Sequence, residues 1–245
     1  PADTVGILSY NRIEWVAAQH ACFAYGCIPV PIYDTFGPEN VSYIINHANL
    51  EIIFVVSTKL KDLLQLKPDI VKTIVVFDNE EHPYNESEFS NLLDRVNCKI
   101  VKWEEITKIK ERYPHKPPTY DTPASIMYTS GTTGYPKGCI ITHGNFVGSA
   151  SSLVNVYPFT NKDSFLSFLP LAHVFEEVIH FIGIRKKVKI AFYSGSITRL
   201  IEEVKILKPT IFCSVARVFE RIYDGMQKKM EKLSFLTKLA FNTSY

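Results

Sequence analysis

Two runs in the first third of the chain, Ile52-Ile53-Phe54-Val55-Val56 and Thr73-Ile74-Val75-Val76-Phe77, are apolar with almost no interruption. A strand with one face in water alternates apolar and polar residues. An unbroken run of this length therefore predicts a strand covered on both faces, as in parallel sheets flanked by helices. Val5-Gly6-Ile7-Leu8-Ser9 reads as another strand. Cys27-Ile28-Pro29-Val30-Pro31-Ile32 is extended, and its prolines, which donate no hydrogen bond, suit a sheet edge or strand ends. Helical spacing fills the gaps. Ile13, Val16, Ala17, His20, Ala21 and Ala24 repeat as far as Gly26, with Asn11 as the candidate cap. Pro38 opens a second helix, with Val41, Ile44, Ile45 and Ala48 on one face. This alternation predicts an α/β fold of parallel strands joined by right-handed crossovers.

The composition changes at Asp78. Acidic and polar residues accumulate as far as Pro123, and Pro114, Pro117, Pro118 and Pro123 fall close together, so 78–123 reads as an irregular surface excursion. Ala124-Ser125-Ile126-Met127-Tyr128 resumes a buried strand. A helix over 145–156 leads to the polar turn Asn161-Lys162-Asp163, the candidate lobe boundary. Strands over 165–169, 188–193 and 210–214, with helices over 174–184 and 199–207, then make a second αβ unit. The expected organisation is two αβ lobes with largely parallel sheets flanked by helices: residues 1–160 form the first, and 161–245 begin the second. The last stretch, 217–241, reads as a long helix with Val218, Phe219, Ile222, Met226, Met230 and Leu233 as an apolar stripe. Lys228, Lys229 and Lys232 lie largely on other faces. A basic amphipathic helix suits peripheral attachment to a membrane, but packing on its own domain is commoner and is favoured here.

Bulk properties narrow the function. A net charge of +2 makes no electrostatic case for nucleic acid. Five cysteines, an odd number without C-x-x-C spacing, predict reduced thiols in a cytoplasmic setting. No run of about 18 apolar residues exists to span a bilayer. Seven histidines show no H-x-x-x-H or H-E-x-x-H spacing, and no protein-ligated metal is expected. Nothing sets the oligomeric state.

The stretch richest in chemistry is 128–138, Tyr-Thr-Ser-Gly-Thr-Thr-Gly-Tyr-Pro-Lys-Gly. Four hydroxyl residues, Thr129, Ser130, Thr132 and Thr133, stand with Gly131, Gly134, Gly138 and Lys137 between two apolar strand-like runs. Glycine lets backbone N–H groups approach a ligand, and successive N–H groups in a turn favour anions. The hydroxyls add neutral donors and Lys137 a mobile positive charge. Composition alone would allow a flexible linker, but its placement between strands favours a phosphate cradle. It is not the common P-loop, because Pro136 stands where that motif needs a glycine before its lysine, nor is it G-x-G-x-x-G.

This segment resembles the phosphate-loop signature of the adenylate-forming (AMP-binding) superfamily. Ser167-Phe168-Leu169-Pro170-Leu171-Ala172-His173-Val174-Phe175-Glu176 resembles the acyl-pocket segment of its long-chain acyl-CoA synthetases. Lys208-Pro209-Thr210-Ile211-Phe212 with Arg217-Val218-Phe219-Glu220-Arg221-Ile222-Tyr223-Asp224 is similar to the same family, as is the start of the chain around Val5-Gly6-Ile7, Asn11-Arg12 and Glu14-Trp15.

The resemblance implies an incomplete adenylate-forming large domain that activates a long-chain fatty acid with ATP and passes the acyl-AMP to coenzyme A as co-substrate. It assigns the β- and γ-phosphates to Thr129, Ser130, Gly131, Thr132, Thr133, Gly134 and Lys137, with Mg²⁺ bridging the phosphates. Of these, Thr132 and Lys137 take part in catalysis together with His173. On its residues alone His173 reads as a core histidine; the resemblance places it by the carboxylate and α-phosphate, to orient and stabilise charge. Glu176 can equally be a first-turn acid, and Arg217 can belong to a solvated cluster with Glu220 and Arg221.

This chain also departs from the family. Lys187-Val188-Lys189 stands where small residues, often glycine, are usual; Ser196 follows Gly195 where the family has aspartate; Ala216 replaces a proline. The family's elements for adenine, ribose and thioester formation are not found before Tyr245, so this piece alone is expected to have little ligase activity. Two alternatives stand beside this reading: another adenylate-forming ligase, and a non-catalytic nucleotide- or lipid-binding module.

Overall fold

The computed structural model describes residues 3–78, 83–129, 134–195 and 199–231. The elements run β1 (Thr4–Leu8), α1 (Ile13–Tyr25), β2 (Ile28–Ile32), α2 (Pro38–His47), β3 (Ile52–Val56), α3 (Ser57–Gln65), β4 (Thr73–Phe77), α4 (Glu86–Leu93), β5 (Lys99–Lys102) and α5 (Trp103–Thr107). They continue with β6 (Pro123–Thr129), β7 (Lys137–Thr142), α6 (His143–Val156), β8 (Ser164–Ser167), α7 (Val174–Lys186), β9 (Lys189–Phe192), α8 (Leu200–Leu207) and α9 (Ala216–Glu231). Compactness divides the chain after Thr210, which leaves α9 in a unit of its own.

Five strands form a parallel sheet in the order β2-β1-β3-β4-β5. The unbroken apolar runs do cover two faces. Ile53, Val55, Ile74 and Val76 point into a core with Ile44, Ile45 and Leu60. Their neighbours Ile7 and Phe77 face the opposite core, with Trp15 and Ala18 of α1. Full burial contributes about 1.5–3 kcal/mol for each such aliphatic or aromatic side chain. The prolines of β2 also explain its edge position. Ile28 N–H donates toward β1, to Asp3 O at 2.8 Å. By the two-residue period of a strand, Pro29 and Pro31 fall where an N–H would point away from β1.

Four expectations need correction. The excursion over 78–123 is not wholly irregular, since it contains α4, β5 and α5. Lys99 and Lys102 leave β5 only two apolar residues, enough for an edge strand, where charged ends are tolerated. The stretch 210–214 is not a regular strand and shows only a single bridge residue, Ile211. Thr210 is drawn instead into side-chain bonds, accepting from Ser164 N at 2.9 Å and donating to Asp163 Oδ1 at 2.9 Å. Asn11 is not the cap of α1, for Arg12 holds that position without a side-chain cap bond. Finally, the spaced residues of α1 are not its packed face, since Ile13, Ala17 and Ala21 are exposed while Trp15, Ala18 and Cys22 are buried. The direction of β7, which the sequence leaves open, is antiparallel to β6, so the two form a hairpin and the run after the signature loop is its returning arm.

The Lys187 departure has a visible consequence. Lys187 ends α7 with φ 59° and ψ 34°, the left-handed conformation that glycine adopts most easily. That geometry costs a non-glycine residue about 1–2 kcal/mol, and glycine's larger unfolded-state entropy takes back part of the difference. Lys187→Gly is therefore expected to stabilise the fold by about 1 kcal/mol in urea unfolding. Unchanged or lower stability would contradict this reading of the turn.

Candidate active site

The signature loop closes a hairpin in which Thr129 pairs with Lys137 and Tyr128 with Gly138. The pairing brings the two ends of the loop face to face, with Thr129 and Lys137 exposed at its mouth. Gly134 has φ 135°, a conformation that a side chain would strain. Ser130, Gly131, Thr132 and Thr133 lie outside the described residues. Gly138 is needed for a different reason: a Cβ there would stand 3.0 Å from Ile126 Cγ2 and 3.2 Å from Tyr128 Cζ.

Helix α2 braces one arm of this hairpin and its loop. Tyr128 is buried and its hydroxyl lies 2.6 Å from His47 Nδ1. Burial, reinforced by Tyr43, pushes the Tyr128 hydroxyl up to about 12, so it keeps its proton beside His47. One turn earlier, Tyr43 stacks on Tyr135 of the loop with centroids 4.6 Å apart. Sequence reading gave no role to Tyr43 or His47. Their signal was the i, i+4 spacing of two aromatic rings on one helix face.

The second part of the site is the passage from β8 into α7. His173 is the N-cap of α7, and its Nδ1 accepts from Phe175 N at 3.2 Å. An accepting Nδ1 places the proton of the neutral ring on Nε2, leaving that edge able to donate. The ring is exposed, contrary to a core histidine. Among the described residues no hydrogen bond joins His173 to the hairpin.

Glu176 is buried and accepts from Ser167 Oγ at 2.6 Å. It stands in the first turn of α7, but its partner comes from the end of β8. His180, which sequence reading did not single out, lies 2.8 Å from the same Oγ through Nε2. Asn11 donates to that oxygen as well, at 2.8 Å. The neighbouring matched block is architectural. Arg12 grips Glu14 with two bonds of 2.7 and 2.8 Å and donates to Asp78 O at 2.6 Å, while Trp15 is core. Arg217 stands near the start of α9, in the separate unit.

Tyr10, Asn11, Tyr33, Asp34, Phe168 and Tyr193 line a narrow cleft. Each follows the carboxyl end of β1, β2, β8 or β9, the edge where open α/β sheets bind ligands. A larger cavity of about 650 Å³ lies between α6 and α7, lined by Phe146, Val147, Val154, Phe181 and Ile184 with Arg185 at its rim. None of the described motif residues borders it, so the motif and the strand-end cleft are the candidate site. Among the described residues no group of three or more His, Cys, Asp and Glu side chains is placed to hold a metal ion.

The family profile of the AMP-binding enzymes matches residues 1–242. The chain is 37% identical to a peroxisomal long chain acyl-CoA synthetase 7 of Arabidopsis thaliana over 99% of its own length and 35% of the relative's. It is 36% identical to fatty acyl-CoA synthetase B of Dictyostelium discoideum over 100% of this chain and 37% of that protein. The fold is shared with the A-PCP didomain of a carboxylic acid reductase from Segniliparus rugosus in complex with AMP: TM-score 0.82, 18% identity, 94% of this chain and 34% of that one. It is also shared with an o-succinylbenzoate CoA synthetase of Bacillus subtilis in complex with its acyl-adenylate: TM-score 0.64, 22% identity, 91% of this chain and 51% of that one. The chain belongs to the AMP-binding enzyme family, and it spans about a third of the length of the curated relatives it matches.

One buried acid gives the site region a pH signature. Glu177 is buried against Gln19 of α1, whose Nε2 donates to Oε1 at 2.8 Å, while Oε2 has no hydrogen-bond partner. Burial pushes its carboxyl up to about 8, against the Gln19 bond that favours the charged form. The folded chain then holds a proton that the unfolded chain has released above its ordinary value of 4.5. Stability is expected to fall by about 1.4 kcal/mol per pH unit between those two values. Glu177→Gln keeps the shape and should flatten that slope in unfolding measured from pH 5 to 8; an unchanged slope would contradict it.

Proposed function

We propose that this chain supplies the phosphate-gripping and acyl-orienting parts of an ATP-dependent long-chain fatty acid–CoA ligase, within a longer protein. A carboxylate oxygen is a poor leaving group, so a thioester can form only after activation. Attack of the fatty carboxylate on the α-phosphorus of ATP releases pyrophosphate. A thiol, that of coenzyme A, then displaces AMP from the acyl-adenylate.

In this reading Thr129, Ser130, Gly131, Thr132, Thr133, Gly134 and Lys137 hold the β- and γ-phosphates. Their work is to position the triphosphate and to balance charge that collects on the departing pyrophosphate. Each hydrogen bond to a charged oxygen contributes about 1.5–3 kcal/mol. The single observation that carries the reading is the Thr129–Lys137 pairing, which closes the hydroxyl- and glycine-rich loop and sets its lysine at the mouth. A donor set of hydroxyls, amides and one ammonium fits phosphate oxygens. It does not fit a bare cation, so Mg²⁺ would be held chiefly by the phosphates, easing charge there when bound. His173, with Nε2–H free to donate, orients the carboxylate and stabilises charge at the α-phosphate; a carboxylate needs no base. The two-lobe division at 160/161 and a reducing, cytoplasmic location remain part of the proposal, the latter supported by five cysteines that stand outside any disulfide. No described helix is long and apolar enough to cross a membrane, and peripheral attachment through the amphipathic stretch 217–241 remains part of the proposal.

ATP–pyrophosphate exchange by the whole ligase tests this. Exchange should depend on palmitate and not occur with benzoate. Replacing Thr132, Thr133 and Lys137 together by alanine should lower it by at least about 10³-fold. Exchange with benzoate alone would favour another adenylating ligase, and no exchange with any acid would favour a non-catalytic binding module.

A further inference from the structure

Asn11 is 3% exposed and stands just beyond the carboxyl end of β1, yet its partners all lie more than 150 residues away. Its Nδ2 donates to Ser167 Oγ at 2.8 Å and to Leu169 O at 2.6 Å. Its Oδ1 accepts from Leu171 N at 2.8 Å. Both donors and the acceptor of one carboxamide are therefore used, and only one orientation of the amide satisfies them. Turned over, the oxygen would face a carbonyl and the NH₂ an N–H.

The two backbone bonds bracket Pro170. From there the turn continues through His173 N, which donates to Pro170 O at 2.8 Å, and delivers His173 to the N-cap of α7. The third bond reaches Ser167, whose hydroxyl donates to Glu176 and accepts from Asn11 and His180. Glu176 and His180 occupy successive turns of α7. His173 is thus fixed from the chain before it by the clamp on Pro170, and from the helix after it by the Ser167 hub.

We propose that Asn11 is a positioning residue for adenylation: its carboxamide sets where His173 stands relative to the reacting carboxylate. The inference rests on the proposed function, which places His173 beside that carboxylate. Asn11 touches no reacting atom and acts only through the turn it holds. A carboxamide is specifically required. Aspartate would set acceptors against Leu169 O, and alanine would leave Leu169 O, Leu171 N and Ser167 Oγ each short of a buried partner.

The test is steady-state palmitate-dependent ATP–pyrophosphate exchange in the whole ligase, comparing Asn11→Ala, Asn11→Asp, His173→Ala, the double variant Asn11→Ala/His173→Ala and Gln19→Ala. Gln19→Ala is the control. It removes a buried bond between α1 and α7 that does not touch the turn, so it should lower the unfolding midpoint and keep kcat. Both Asn11 variants should lose kcat by on the order of 10²-fold, the scale of a misplaced catalytic group, with KM for ATP within about twofold. The double variant should be no slower than His173→Ala. Losses that multiply in the double variant, or wild-type kcat in either Asn11 variant, would overturn the inference. If Asn11→Ala does not fold, Asn11→Asp with Gln19→Ala carries the same decision through kcat against KM. Absence of exchange in the unmutated enzyme would instead bring down the functional reading, and the inference with it.

Discussion

A carboxamide buried between two strand ends is the point on which this architecture turns. Asn11 leaves the end of β1, Ser167 closes β8, and their bond ties the end of the five-stranded sheet to the crossover that opens α7. Such a group is costly to bury unless its hydrogen bonds are all made, and here they are. The same demand makes the arrangement unique. No apolar side chain satisfies the backbone groups of Leu169 and Leu171, and a shifted α7 would strand Glu176 and His180 away from Ser167. Placing polar groups at the carboxyl ends of parallel strands is also what makes that edge the ligand edge of an α/β fold.

The half proposed to grip phosphate solves a different problem. A P-loop runs directly into a helix, so the helix N-terminus shares in holding the anion. Here six residues of β7 intervene, and the next helix has no such donors to spare. Thr142 and Asn145 form a reciprocal capping box at the start of α6, with Thr142 Oγ1 accepting from Asn145 N and Asn145 Oδ1 accepting from Thr142 N. In the proposed function, anion recognition then falls to hydroxyls, loop amides and Lys137. A hairpin is a flexible support for that work, and α2 stiffens it through the Tyr43–Tyr135 stack and the Tyr128–His47 bond.

Much of this was legible beforehand, for definite reasons. Unbroken apolar runs reported β3 and β4 because both sheet faces are covered, and helical spacing reported α2 because its spaced residues are the packed face; in α1 the helix was legible but its face was not, since Trp15, Ala18 and Cys22 are buried and Ile13, Ala17 and Ala21 are exposed. β5 escaped because an edge strand with lysines at both ends looks like surface. The antiparallel sense of β6 and β7 escaped because it is decided by loop geometry and not by composition. The motif residues could be proposed from sequence because chemistry restricts their type. Asn11 was visible only as a helix cap, since a polar residue before a helix usually is one, and nothing in local spacing points to partners in the second half of the chain. Ser167, His180, Tyr43 and His47 share that limit: their roles come from tertiary contacts.

The most direct test is a crystal structure of the proposed whole ligase with a non-hydrolysable ATP analogue. The β- and γ-phosphates are expected in the turn between β6 and β7, in contact with Thr132, Thr133 and Lys137, and the α-phosphate on the side of His173. A triphosphate bound elsewhere, in the cavity between α6 and α7 for example, with the hairpin loop empty, would contradict it.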